Sequence, residues 1–240
     1  SRVVVEECLV GEEMSFIVVS DGEVIVPLAT SRDHKRVGEG DTGPNTGGMG
    51  AVAPAPGTSP GLEAEIIDEV ISPILEQLDE VAGGYTGFLY AGLMLTEEGP
   101  KVLEFNCRMG DPEAQPLLFA LEDDLGVVLA DAARGELSGE VDLRSGRGGC
   151  CVVLASRGYP APERDTGYRI DGLEEAAEVP ETKVFHAGTR REGDDFVNAG
   201  GRVLGVTGRG DTAEQARERA YEAVARIYWD GMHFRRDIGE

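Results

Sequence analysis

The sequence predicts an α+β fold in two parts: a larger core over about residues 1–140, then a smaller β-rich part with a long helix over about 147–240. Three observations lead there. Early runs of β-branched and aromatic residues, Val3-Val4-Val5 and Phe16-Ile17-Val18-Val19, read as strands. From Leu62 the apolar positions change to helical spacing. Polar and glycine residues crowd Ser138–Gly149, and beyond them the pattern switches to short strands.

Taken in order, strands are expected over 3–10, 15–20 and 24–29, with Ser20-Asp21-Gly22 as a turn. A long glycine-rich polar loop spans about 31–60. Ile66/Ile67, Val70/Ile71, Ile74/Leu75 and Leu78 then repeat at helix spacing, Pro73 kinks the helix or caps a second segment, and Gly83-Gly84 ends it. Gly87–Leu95 and Lys101–Asn106 form a hairpin across Thr96–Pro100. Helices follow from about Pro112 and near Leu125–Arg134. The second part opens on a strand from Cys150 to Ala155 and continues with strands near 182–187, 196–199 and 202–208. It closes with a helix from Asp211, capped by Asp211 with Glu214 and buried along Ala216, Ala220, Ala223/Val224 and Ile227.

Composition removes several function classes. Asp plus Glu number 45 against 22 Lys plus Arg, a net charge of −23, so a phosphate-backbone binder of nucleic acid is not expected. No run of about 18 apolar residues offers a membrane span. The start of the chain shows neither a signal-peptide nor a transit-peptide pattern, and a cytoplasmic location is expected. Heavy acid with few lysines (Lys35, Lys101 and Lys183) suggests adaptation to high salt, where counter-ions screen self-repulsion; an Arg-rich, GC-rich genome is the competing explanation. Cys8, Cys107, Cys150 and Cys151 form no C-x-x-C pair and read as buried thiols.

Three segments carry chemistry. Glu6-Glu7-Cys8-Leu9-Val10-Gly11-Glu12-Glu13 sets four carboxylates around a glycine, suited to amines and vicinal hydroxyls; taken alone, these residues favour an acidic turn on an acidic protein. Arg32, Lys35 and Arg36 concentrate scarce cations beside the glycines of 38–50. Backbone N–H groups and cations together make an anion site for phosphate or carboxylate, although no P-loop pattern is present. Glu104 and Asn106 lie two apart on a strand and share a face, offering hard oxygens to a cation such as Mg²⁺, with Arg108 continuing the alternation. The C-terminal Phe234-Arg235-Arg236-Asp237-Ile238-Gly239 reads alone as a solvated tail.

Asp33-His34-Lys35-Arg36, DTGPNTGGMG at 41–50 and EFNCRMGDPE at 104–113 together resemble the glycinamide ribonucleotide synthetase family, phosphoribosylamine–glycine ligases of the ATP-grasp superfamily. The resemblance runs to Asp237-Ile238-Gly239 and covers the C-terminal part of such an enzyme. It implies an ATP-grasp core represented by its larger lobe only, without the N-terminal domain and the small ATP lobe, followed by a C-terminal domain of that family's type.

The implied reaction joins glycine to 5-phosphoribosylamine at the expense of ATP through glycyl phosphate. By the resemblance, Glu6, Glu7 and Leu9 meet adenine and Glu13 holds the ribose. Glu104 and Asn106 bind Mg²⁺ or Mn²⁺, and Arg108 stabilises the acyl phosphate. Asp33, Lys35, Arg36, Asn45, Thr46, Gly47, Gly48, Met49 and Asp111 bind the substrates. The implied partners are these small molecules and the part preceding this chain; alone, the chain is expected to be inactive. A scaffold half that works only with a partner chain, and another ATP-grasp ligase such as a biotin-carboxylase-like one, are the alternatives. One position departs from the superfamily: where many members place a further metal carboxylate, Ala91-Gly92-Leu93 offer none.

Overall fold

The computed structural model describes residues 3–144 and 146–240; Ser1, Arg2 and Ser145, which fall in the expected first part and its boundary, lie outside the described residues. The elements run β1 (Glu12–Ser20), β2 (Ile25–Pro27), β3 (Arg32–Asp33), β4 (Arg36–Gly38), β5 (Thr42–Asn45) and β6 (Gly50–Ala53). Helix α1 (Pro60–Ile66), a π-helical turn (Ile67–Ile71) and α2 (Ser72–Ala82) follow, then β7 (Gly87–Thr96), β8 (Gly99–Asn106), α3 (Ala114–Ala120) and α4 (Leu125–Ala132). The second part holds β9 (Gly148–Ala155), α5 (Leu173–Ala177), β10 (Thr182–His186), β11 (Thr189–Glu192), β12 (Asp195–Asn198), β13 (Arg202–Gly210) and α6 (Ala213–Val224).

The first sheet is antiparallel, in the order β2-β1-β7-β8. Strand β1 is continuously apolar from Phe16 to Val19 because both its faces are covered there. Met14, Phe16 and Val18 pack with Ile66, Val70, Ile71 and Leu75 of the helical layer, while Ile17 and Val19 pack with Leu117, Val128 and Ala132 on the opposite side. Ser59 caps α1 through the Leu62 N–H, and Gly83 ends α2 at φ 76°. Pro73 opens α2 just after the π-helical turn, so it caps a second segment as the sequence suggested.

Four expectations are corrected. Residues 3–10 form no strand: Val3, Val4, Val5 and Val10 are exposed, and β-branched character makes a strand only where a neighbour completes the ladder. The 31–60 loop contains β3 to β6, whose short pairings organise it. The α6 cap is Thr212, which accepts from the Gln215 N–H, rather than Asp211 with Glu214. Cys150 and Cys151 are buried, but Cys8 and Cys107 are exposed.

The division at 140–147 does not separate the strands either. The second sheet runs β10-β13-β9-β6-β3, so β6 and β3 from the first part hydrogen-bond into the sheet of the second. Met49 from the first part enters the core formed by β9, β13 and the alanine stripe of α6. This shared sheet places the 33–50 segment directly over the junction, where it meets residues from both halves.

Candidate active site

The strands bring the sequence-identified groups to two neighbouring pockets. One, of about 140 Å³, is lined by Asp33, Lys35, Thr46, Gly47, Tyr90, Glu104, Asn106, Arg108, Gly110, Asp111 and Glu113. The other, of about 350 Å³, is bordered by Glu13, Arg32, Asp33, His34, Lys35, Arg36 and Asn45. Asp33 and Lys35 belong to both, so the 33–50 segment and the Glu-x-Asn strand meet there.

Lys35 is half-buried and forms an ion pair with Glu13. Burial works against its charge, but the Glu13 hydrogen bond and nearby carboxylates outweigh this and raise its pKa. Asp33 behaves oppositely: burial, then the Glu113 charge, pushes its carboxyl up to about 8, and its Oδ1 is buried with no hydrogen-bond partner. Glu113, 3 % exposed, accepts from Ser15 Oγ at 3.0 Å, and Ser15 lies 2.9 Å from the Tyr90 hydroxyl. Burial, followed by the Glu113 charge, also raises the Tyr90 pKa.

Glu104 and Asn106 point to the pocket from β8, opposite Gly92 and Tyr90 of β7. Asn106 Nδ2 is buried without a partner, so the protein does not tie down that amide. One carboxylate and one amide are hard-oxygen donors that fit a Mg²⁺ ion keeping water and phosphate oxygens. Among the described residues no cluster of three or more His, Cys, Asp or Glu forms a closed cage. Gly92 stands where a further carboxylate is absent. A Cβ there would lie 3.2 Å from Glu104 Cγ and 3.3 Å from the Tyr90 ring, so a side chain would crowd Glu104 on β8.

The other expected residues divide. Thr46 donates its hydroxyl to Lys35 O and accepts the Gly48 N–H, shaping the loop. Gly48 has φ 105°, and a Cβ would fall 2.6 Å from Asp33 Oδ1. Arg36 is exposed and donates to Gly43 O, bracing the β4–β5 hairpin beside Asn45. Arg108 is exposed at the pocket and donates to Met109 O. Asp111 accepts from Arg202 at 2.8 Å and from Gln115 at 3.2 Å. Glu6, Glu7 and Leu9 line a separate shallow cavity of about 230 Å³ with Lys101, Val102 and Leu103.

Met49 is a correction: it is 0 % exposed, its N–H bonds to His34 O, and its carbonyl accepts from the Val153 N–H. It holds the core and has no atom free for a ligand. Sequence reasoning missed Tyr90, Ser15, Tyr159 and Arg202 and gave Glu113 no role. Arg202 donates to the Gly47 and Asp111 carbonyls, and the Tyr159 hydroxyl accepts the Gly47 N–H. No local signal marks such long-range partners; Glu113 alone stood inside a quoted motif.

The fold is that of the ATP-grasp proteins. At 17 % identity, the crystal structure of Thermotoga maritima N5-carboxyaminoimidazole ribonucleotide synthetase superposes with a TM-score of 0.60, over 91 % of this chain and 52 % of that one. Two successive models of one family match the chain: the phosphoribosylglycinamide synthetase ATP-grasp (A) domain over residues 1–114 and the C domain of the same enzyme over 149–240. The chain belongs to the phosphoribosylglycinamide synthetase family. It is 51 % identical over 241 residues to the phosphoribosylamine–glycine ligase of Vibrio vulnificus and 49 % identical to that of Pseudomonas aeruginosa. The ligase structure from Thermotoga maritima superposes with a TM-score of 0.83 at 37 % identity, over 97 % of this chain and 57 % of that one. In the Vibrio and Pseudomonas comparisons 100 % of this chain aligns with 56 % of the relative, so the chain spans about half the length of the curated relatives it matches.

Proposed function

We propose that this chain supplies the metal-, phosphate- and substrate-facing half of a phosphoribosylamine–glycine ligase. The reading rests on one observation above all: Asp33, Lys35, Glu104, Asn106 and Arg108, drawn from two distant segments, line one pocket of an ATP-grasp fold. Glycine carboxylate attacks the γ-phosphate of ATP and displaces ADP, and the glycyl phosphate then acylates the amine of 5-phosphoribosylamine, releasing phosphate.

Each side chain has a task in that sequence. Glu104 and Asn106 would hold a Mg²⁺ ion, which supplies positive charge to the ATP phosphates when bound. Arg108, exposed at the pocket mouth, is free to swing from Met109 O toward the acyl phosphate and stabilise its developing charge. Lys35 offers its ammonium to the phosphate of phosphoribosylamine, with the Thr46–Gly48 turn holding the loop around it. Glu13 lies beside Lys35 and is the candidate for the ribose hydroxyls, with Glu6, Glu7 and Leu9 for adenine. A cytoplasmic site of action fits purine chemistry, and no helix among the described residues is long and apolar enough to cross a membrane.

A covering lobe belongs to this reading. Val102 and Leu103 on β8 are exposed next to the Glu6–Leu9 segment, an apolar surface unsuited to act as one wall of a dry site without a second. The test is ADP release with glycine and phosphoribosylamine, from the chain alone and after adding the preceding part of a relative. Turnover only in the second assay supports the proposal. Robust glycine-dependent turnover by the chain alone refutes the need for that lobe.

A further inference from the structure

The C-terminal segment reads from sequence as a solvated tail, yet the structure buries its centre. Arg235 is 1 % exposed, one of the largest fully buried side chains of the protein. Four of its five N–H groups are paired with carboxylates or a carbonyl. Nε and Nη2 grip both oxygens of Asp237 at 2.8 and 2.7 Å, and Nη1 donates to Asp41 Oδ1 at 2.7 Å and to Arg36 O at 3.0 Å. Nη2 also lies 3.3 Å from His34 Nδ1.

Its neighbours repeat the pattern. Asp237 Oδ2 accepts the Gly40 N–H at 2.7 Å, the Arg236 N–H donates to Glu39 Oε1 at 3.2 Å, and His233 Nε2 lies 2.9 Å from Val37 O. The Gly239 N–H faces His34 Nε2 at 3.3 Å. The tail is itself anchored, because the Tyr221 hydroxyl of α6 donates to Arg235 O and accepts the Ile238 N–H. Within 34–41 it thus touches His34, Arg36, Val37, Glu39, Gly40 and Asp41.

These contacts surround Lys35 in sequence without touching its side chain. Alternation along an extended segment sends His34 inward and Lys35 to the pocket. The segment's own hairpin is slight, with β4 and β5 paired at Arg36 with Asn45 and at Gly38 with Thr42 across a register shift. Left to that pairing, residues 34–41 would sample many conformations, and ordering them on ligand binding would cost affinity. Buried charges are expensive unless well paired, so a guanidinium held by two carboxylates and a carbonyl makes a sharply defined tie.

We propose that Arg235 is a positioning residue: through Asp41, Asp237 and the Arg36 carbonyl, the C-terminal segment presets residues 34–41 so that Lys35 meets the substrate phosphate already ordered. The ligand half of this statement rests on the proposed function; the ordering half does not. Both halves are tested on the 240-residue chain with Asp41→Gly, Arg235→Lys and Arg235→Gln. Asp41 is exposed at φ 53°, a backbone that glycine adopts freely, so Asp41→Gly removes one tie without threatening the fold.

Amide hydrogen exchange at 34–41 reads the ordering, and calorimetric affinity for ribose 5-phosphate reads the ligand. The expected result is exchange faster by roughly tenfold or more at 34–41 in Asp41→Gly and Arg235→Gln, with β1 unchanged. Ribose 5-phosphate affinity should fall in parallel, and Arg235→Lys should lie between. Unchanged exchange at 34–41, or an equal rise in β1, overturns the proposal. Faster exchange with unaltered affinity overturns the link to the ligand. If the unaltered chain does not bind ribose 5-phosphate, the phosphate assignment of Lys35 falls instead, and exchange alone decides the tie.

Discussion

Lys35 and Glu13 form an ion pair at the meeting of the two pockets, although the family resemblance assigns them to different ligands, a phosphate and a ribose. A ligand phosphate must therefore compete with a carboxylate for the ammonium. In the full-length ligase, Lys35→Ala should raise KM for phosphoribosylamine roughly ten- to a hundredfold and leave KM for ATP nearly unchanged. Glu13→Gln separates its two roles. A lower KM for phosphoribosylamine identifies Glu13 as the competitor, whereas a higher KM for ATP identifies it as the ribose ligand.

Asp33 gives the site a pH signature. Its carboxyl is pushed up to about 8 from 3.8, by burial first and the Glu113 charge second. Between these values the folded state holds a proton that the unfolded chain has lost. The stability contribution is thus full below pH 3.8 and declines as pH rises toward 8. Asp33→Asn removes that dependence, so its melting temperature relative to the parent should climb from pH 5 to pH 8. A constant difference across that range would contradict the assignment.

Gly92 leaves room for Glu104 on the neighbouring strand. Gly92→Asp supplies the carboxylate that many superfamily members carry, but its Cβ would press on Glu104 Cγ at 3.2 Å. In the full-length enzyme, the Mg²⁺ concentration for half-maximal activity should rise rather than fall. Tighter metal dependence in Gly92→Asp would show that Glu104 can yield.

The net charge of −23 carries its own expectation. At about 0.1 M salt charges interact over ~10 Å, and at 1 M over only ~3 Å. Thermal melts in 0.1 and 2 M KCl should show a higher midpoint in the concentrated salt if the acidic surface is a high-salt adaptation. An equal or lower midpoint would favour genome composition as the origin of the acidic, Arg-rich sequence.

The legible parts of the fold were those whose cause is local. Apolar spacing marked α1 through α2, an apolar run with a turn signal after it marked the β7–β8 hairpin, and the alanine stripe marked α6, all of which depend on neighbours three or four residues away or on one turn. Val3–Val5 misled because strand propensity acts only when another strand accepts the ladder. The site's motif residues were legible as motifs, yet Met49 stood inside one while serving the core. Arg202, Tyr159 and Arg235 reach the site from far along the chain, and nothing in their immediate sequence reports the partner they will meet. The shared β9–β6 pairing was hidden for the same reason, since it joins strands on opposite sides of a polar break.

The most direct test of the account is Glu104→Gln in the full-length enzyme, assayed by ADP release with saturating glycine and phosphoribosylamine and paired with a thermal melt. Glu104 is exposed on β8, so the fold has little to lose, while the pocket loses the carboxylate proposed to hold the metal. The account predicts turnover lower by about 10²–10³ at an unchanged melting temperature. Normal turnover in Glu104→Gln would contradict it.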